Sequence, residues 1–190
     1  MQFKLVTVAL GLVLVVAALV YLLPPREPTT DAAPAAVTPP ATGAAAGDDS
    51  PELTVFFSRG DSSVAVRRAA SGVLGGPEAA LRELLRGPSE TERTSGITSW
   101  FSAETAGVLR GFRVEADGIA HVDFADLTLV IPGASSSAGS EVLLRELNGT
   151  LFQHPEIQAI EYTIGGSCEA FWNWLQYDCE VMRRPGAARR

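Results

Sequence analysis

One stretch limits the possible folds more than any other. Val108–Phe124 alternates apolar and polar residues on both sides of Asp117-Gly118, the strongest short hairpin signal in the chain. The alternation also selects the turn. A two-residue Asp-Gly loop would put Phe112 and Val114 on the face of His121 and Asp123. A three-residue loop, Ala116-Asp117-Gly118, gathers Phe112, Val114, Ala120, Val122 and Phe124 on one face. Arg113, Glu115, His121 and Asp123 then share the other. The expectation is the longer loop, with Gly118 left-handed. A ribbon with one dry side needs strands or helices to cover it.

The neighbours supply that cover. Leu53–Phe57 and Val64–Arg67 read as paired strands joined at Ser58-Arg-Gly-Asp61. The Arg-Gly-Asp tripeptide there is read as turn chemistry, not as an adhesion motif. Gly75-Gly-Pro77 opens a helix that carries Leu81, Leu84 and Leu85 on one side and stops at Gly87-Pro88. Pro88–Ser99 is polar and irregular, while Leu127–Ile131 is apolar enough to pack. A second helix is expected over Ala138–Phe152. Its stripe is Leu143, Leu144, Leu147 and Leu151, set against polar Glu141, Arg145 and Glu146. Ile157–Ile164 is a last strand. The order strand, strand, helix, hairpin, helix, strand predicts an α+β domain, with a mixed sheet of about five strands and two helices on one face.

The start of the chain has a different character. Leu5–Leu23 is an uncharged run rich in Val and Leu, nearly long enough for a bilayer core. With Lys4 before it and Arg26, Glu27 and Asp31 after it, residues 1–4 are expected in the cytoplasm and the rest outside. The expectation is an uncleaved transmembrane anchor. A cleaved signal peptide is the competing reading, and both export the domain. Residues 24–51 are rich in Pro, Ala and Thr and read as a disordered, semi-extended linker. The folded domain is placed at 52–184, with a short basic tail at 185–190.

A formal net charge of −7 argues against nucleic acid as a partner. Cys168 and Cys179 are the only cysteines, and in an exported domain that pair reads as a disulfide. No catalytic residue, cofactor or metal site is expected. His121 and His154 stand apart from clustered ligands. His121 and Asp123 are strand neighbours without a nucleophile elbow, and Glu156 and Glu161 read as surface charge, not as a glycosidase pair. Asn148-Gly-Thr150 matches a glycosylation acceptor but falls inside a helix. The segment best suited to touch something is Ser167–Glu180, where Phe171, Trp172, Trp174 and Tyr177 crowd between the cysteines. If it is helical, Phe171, Trp174 and Leu175 pack inward and Trp172 and Gln176 turn away. Exposed aromatics would suit a sugar or a protein. The alternative is a small second core capping the sheet.

Several of these pieces, in their order, resemble the GerMN domain. They are Leu53–Phe57, the helix Ala79–Pro88, Gly96-Ile-Thr-Ser99, Val114–Phe124, Leu151–Ile157 and Ile160–Gly165. The resemblance covers about residues 52–166. It implies an extracytoplasmic, non-enzymatic module of bacterial envelope proteins, associated with spore or cell-envelope assembly. The expected partner is an envelope protein or a cell-wall glycan, and the expected location is the cell membrane, single-pass, with the domain outside. The alternatives are a peptidoglycan-acting enzyme and an extracytoplasmic sensor or regulatory subunit of a membrane complex. Lipoprotein members carry a lipidation cysteine, which this chain lacks.

Overall fold

The alternation in Leu53-Thr-Val-Phe-Phe57 makes the first strand, β1 (Glu52–Arg59), which buries Leu53, Val55 and Phe57. It pairs antiparallel with β2 (Ser62–Ala69) around the turn Gly60-Asp61, where Gly60 takes φ 56°. This computed structural model describes residues 51–70 and 75–186. The apolar run Leu5–Leu23, nearly all of the linker and the last four residues of the basic tail lie outside the described residues. Among the described residues, no helix is long and apolar enough to cross a membrane.

Helix α1 (Pro77–Leu85) begins with Gly76 at φ 93° and Pro77 in its first turn. It buries Leu81, Leu84 and Leu85 against β1. The polar stretch after it is less irregular than expected. Ser89 and Glu92 form a reciprocal capping box that starts the short helix α2 (Glu90–Thr94). The Arg68 guanidinium reaches over from β2 to Glu92 and to the carbonyls of Glu83 and Gly87. Burial pushes the Glu92 carboxyl up, but hydrogen bonds from Arg68 and Ser89 outweigh it and hold the group below its usual range.

The central hairpin has the expected form. β3 (Leu109–Val114) and β4 (Ile119–Phe124) pair with Arg113 opposite His121 and Val114 opposite Ala120. Glu115 N donates to Ile119 O at 2.9 Å, which leaves Ala116, Asp117 and Gly118 as the loop. Gly118 has φ 85°. A bulge between Leu109 and Gly111 shifts the register. The chain then makes a helical turn, α3 (Leu127–Val130), capped by Asp126. Leu127 is buried there, whereas Leu129 is 80% exposed.

The long helix α4 (Ser137–Phe152) is capped by Ser136, whose Oγ accepts from Gly139 N at 3.1 Å. It carries the chain back so that β5 (Ala159–Ile164) lies parallel to β4, as a crossover of this length allows. A last helix, α5 (Cys168–Trp174), and a two-residue strand, β6 (Met182–Arg183), complete the described elements. Arg184 then ties down the end by donating to the carbonyls of Phe152, His154 and Ile157.

The fold is α+β and its main sheet is mixed, but the strands do not form one sheet of five. They form a two-stranded ribbon, β1-β2, and a four-stranded sheet in the order β3-β4-β5-β6. The second edge of β1 explains the separation, because helix side chains and a loop occupy it. Gln153 Nε2 donates to Thr54 O at 2.7 Å, and Phe56 N donates to Thr150 Oγ1 at 3.0 Å. Ser58 exchanges backbone hydrogen bonds with Thr98. These groups satisfy the edge, so no further strand pairs there.

Candidate functional site

Because alternate residues of a strand face opposite ways, β4 and β5 divide their side chains cleanly. Ala120, Val122, Phe124, Ile160 and Tyr162 enter the core. His121, Asp123, Glu161 and Thr163 face outward. The register sets these into rows across the strands. One row is Arg113, His121 and Glu161; the next is Gly111, Asp123 and Thr163. A cleft of about 500 Å³ lies over the two rows.

The centre of this face is firmly built. His121 is only 20% exposed at its side chain, and Nδ1 lies 2.5 Å from Glu161 Oε2. Nε2 is 3.0 Å from Glu115 Oε1 but out of line for a hydrogen bond, so this contact is ionic at most. Asp123 Oδ1 accepts from Thr163 Oγ1 at 2.8 Å and from Gly166 N at 2.7 Å. The rim is looser. Arg113 reaches Glu115 at 3.4 Å with 65% of its side chain exposed, and Arg110 reaches Asp123 at 3.5 Å with 59% exposed. Long, exposed pairs of this kind are worth about 0–1 kcal/mol, so neither guanidinium group is held firmly. The expectation of a solvated His121 is thereby corrected: two carboxylates flank it. β5 brings Glu161 to it, and that long-range pairing could not be read from local pattern.

Glu156 and Glu161 have separate partners. Glu156 is exposed, 3.9 Å from His154 Nδ1, whereas Glu161 belongs to the cleft with His121. Burial lowers the His154 pKa despite the Glu156 charge. Among the described residues no group of three or more His, Cys, Asp or Glu could hold a metal ion. Asn148 Oδ1 accepts from the Tyr162 hydroxyl at 3.0 Å and Thr150 is buried, so that tripeptide serves the core.

The sequence reading placed Glu146 on the polar side of its helix, and the structure buries it completely. Ser99 Oγ donates to Oε2 at 2.6 Å, while Oε1 has no aligned partner. Burial pushes the carboxyl up to about 7, against the opposing pull of Ser99, Ser58 and Arg145. Spacing carried the missing signal. Glu146 lies three residues after Leu143 and four before Thr150, inside the apolar stripe.

The aromatic segment differs from expectation in one residue. Cys168 and Cys179 are joined, with their Cα atoms 5.5 Å apart. Phe171, Trp172 and Leu175 are buried, Trp174 is half-buried, and Tyr177 is 42% exposed. Trp172 therefore faces inward, contrary to the reading that turned it away. The inward stripe runs from half-buried Cys168 to Phe171, Trp172 and Leu175, which lie three, four and seven residues after it, so the bridged cysteine sets the face. Phe171 stacks on Tyr162 at 5.1 Å and on Phe124 at 6.1 Å between ring centres, and Trp172 meets Phe171 edge-on at 5.4 Å. Gln176 remains exposed, with φ 66°.

Comparison with known proteins adds a family. The family described as Germane, sporulation and spore germination, matches residues 54–168. No curated protein matches the chain. Among solved structures, the tandem GerMN domains of the sporulation protein GerM from Bacillus subtilis are 23% identical, with a TM-score of 0.49 over 72% of this chain. The chain spans 45% of that structure's length. The first GerMN domain of the same protein is 16% identical, with a TM-score of 0.47 over 61% of this chain and 84% of that one. The family match ends at Cys168, so most of the bridged aromatic segment lies beyond it.

Proposed function

The chain belongs to the sporulation and spore germination family and carries a GerMN-type domain; from that premise we propose a non-enzymatic binding module of the bacterial cell envelope. In this reading the N-terminal apolar run holds the domain to the membrane and the linker spaces it outward. The outer face of the β3-β4-β5 sheet is the working surface. One observation carries the reading: among the described residues nothing covers this face, which is polar and pre-organised, while the opposite face of the same strands is packed core. Pre-organised groups lose little freedom on binding, which is where much of the cost of association lies.

Between the two expected partner classes, an envelope protein or peptide is favoured over a glycan. Sugar recognition uses exposed aromatic faces; here Phe171 and Trp172 are committed to the core, exposed Tyr177 does not line the cleft, and Phe112 at the cleft is only partly exposed. The accessible cleft offers paired charges instead.

The test is a photo-crosslinking residue at position 115, beside His121 and Arg113 at the edge of the cleft, in the full-length protein in intact cells, with one at Glu104 as the control. Adducts with envelope components from position 115 alone support the proposal. Equal adducts at both positions, or none, contradict it. Turnover of wall fragments that disappears in a Glu156→Ala, Glu161→Ala variant would replace it with the enzyme reading.

A further inference from the structure

Gly111 occupies the middle of β3, where a glycine usually weakens a strand. Neither its backbone angle nor crowding demands one, although it follows the bulge in β3. Its φ is not among the positive values of the described glycines. A Cβ built there would meet only Asp123 Cβ, at 3.9 Å, an ordinary contact. Gly87 is the opposite case: it has φ 72° and a Cβ would lie 2.2 Å from Phe101 O. The lack of a side chain at position 111 has one visible effect, which is to lower the floor of the outer-face cleft between Arg113 and Asp123.

The charges around that floor are ordered. In the row beside it, Arg113 stands on β3, His121 on β4 and Glu161 on β5. Strands lie about 4.8 Å apart, so the cation and the carboxylate project from sites about 10 Å apart. An extended tripeptide spans about the same distance from its ammonium to its carboxylate. Arg113 is mostly exposed and, among the described residues, its ion pair is a long contact to Glu115, so it can turn to a ligand carboxylate. Glu161 is fixed by His121, with the carboxylate one-third exposed, and can accept from an ammonium.

We propose that this cleft binds a short free peptide of about three residues in extended form, running across His121 beside the floor left by Gly111, with its carboxylate on Arg113 and its ammonium on Glu161. The inference rests on the reading of the outer face as a binding surface and gives that surface its ligand chemistry.

Ligand-observed NMR on the purified full chain tests it, with trialanine as the probe. Saturable binding near about 1 mM is expected. Trialanine with both ends capped, which loses both charge-assisted contacts, should bind at least about tenfold more weakly, and so should free trialanine to Arg113→Ala, which loses one. Gly111→Leu should abolish binding while circular dichroism shows a folded domain. Equal binding of free and capped peptide, or binding unchanged in Gly111→Leu, would overturn the proposal. So would absence of binding to the folded wild-type chain. If trialanine fails but position 115 still crosslinks to envelope components in cells, the peptide is wrong and the binding surface stands. If both fail, both fall.

Discussion

The two faces of the β3-β4-β5 sheet are made by the same strands and have opposite properties. The inner face packs Val122, Phe124 and Tyr162 beneath the aromatic cap of α5, with ring centres 5.1 to 6.5 Å apart. The outer face carries ion pairs, a fixed aspartate and a glycine that neither backbone angle nor crowding requires. Dispersion and area removed from water act on the inner face, and each large side chain there contributes kilocalories. The outer pairs lie in or near water and contribute little to stability. A period of two along the strand thus separates what holds the domain together from what is free to bind.

The sharpest contrast comes from an inner residue. Tyr162→Ala should lower unfolding free energy by about 3–5 kcal/mol in urea titration, through the cavity it leaves and the unpaired Asn148 amide. A loss below about 1 kcal/mol would dissolve the distinction between the faces.

Glu146 tests how strictly the interior excludes charge. Its folded pKa, about 7, lies above the ordinary carboxyl value. The folded state therefore holds the proton more tightly than the unfolded state. The resulting stability is fully present below the unfolded pKa and is lost as pH rises to about 7, by on the order of 3 kcal/mol. Glu146→Gln should flatten that slope and raise the melting temperature at pH 8 relative to the parent. Equal pH profiles of the two proteins would show that the carboxyl is not buried in solution.

The aromatic cap comes next. Cys168→Ser with Cys179→Ser should cost about 2–3 kcal/mol. Tryptophan fluorescence should shift before far-ultraviolet dichroism on heating, because Trp172 and Trp174 lie in the bridged segment. Unchanged stability would make the cap an appendage and remove Trp172 from the core.

The smallest effect belongs to the outer face. His121→Ala should change unfolding free energy by less than about 1 kcal/mol, since both its partners remain partly exposed. A loss comparable to that of Tyr162→Ala would mean that the outer face is structural.

How much of this was legible depended on distance along the chain. The hairpin turn, its register and the inward set Phe112 to Phe124 followed from local alternation, because one choice of loop left an unambiguous dry face. The last strand was also visible, but not that it lies parallel beside β4 and brings Glu161 to His121. That pairing is made through α4 and leaves no local trace. The separation of β1-β2 escaped notice for a similar reason, since Thr150 and Gln153, nearly a hundred residues on, satisfy the strand edge. Glu146 and Trp172 were lost differently. Both have the spacing of a buried stripe, and both were assigned outward by residue type or by starting the stripe at the wrong residue.

The claim that the outer face is kept open for a ligand turns most directly on Gly111. Thermal unfolding of Gly111→Val, against the parent chain at the same pH and salt, isolates it. If the fold does not need the glycine, a β-branched residue in the strand should leave the melting temperature unchanged or raise it. A fall of more than about 4 °C, roughly 1 kcal/mol for a domain of this size, would contradict the claim and make Gly111 a structural requirement of the bulged strand.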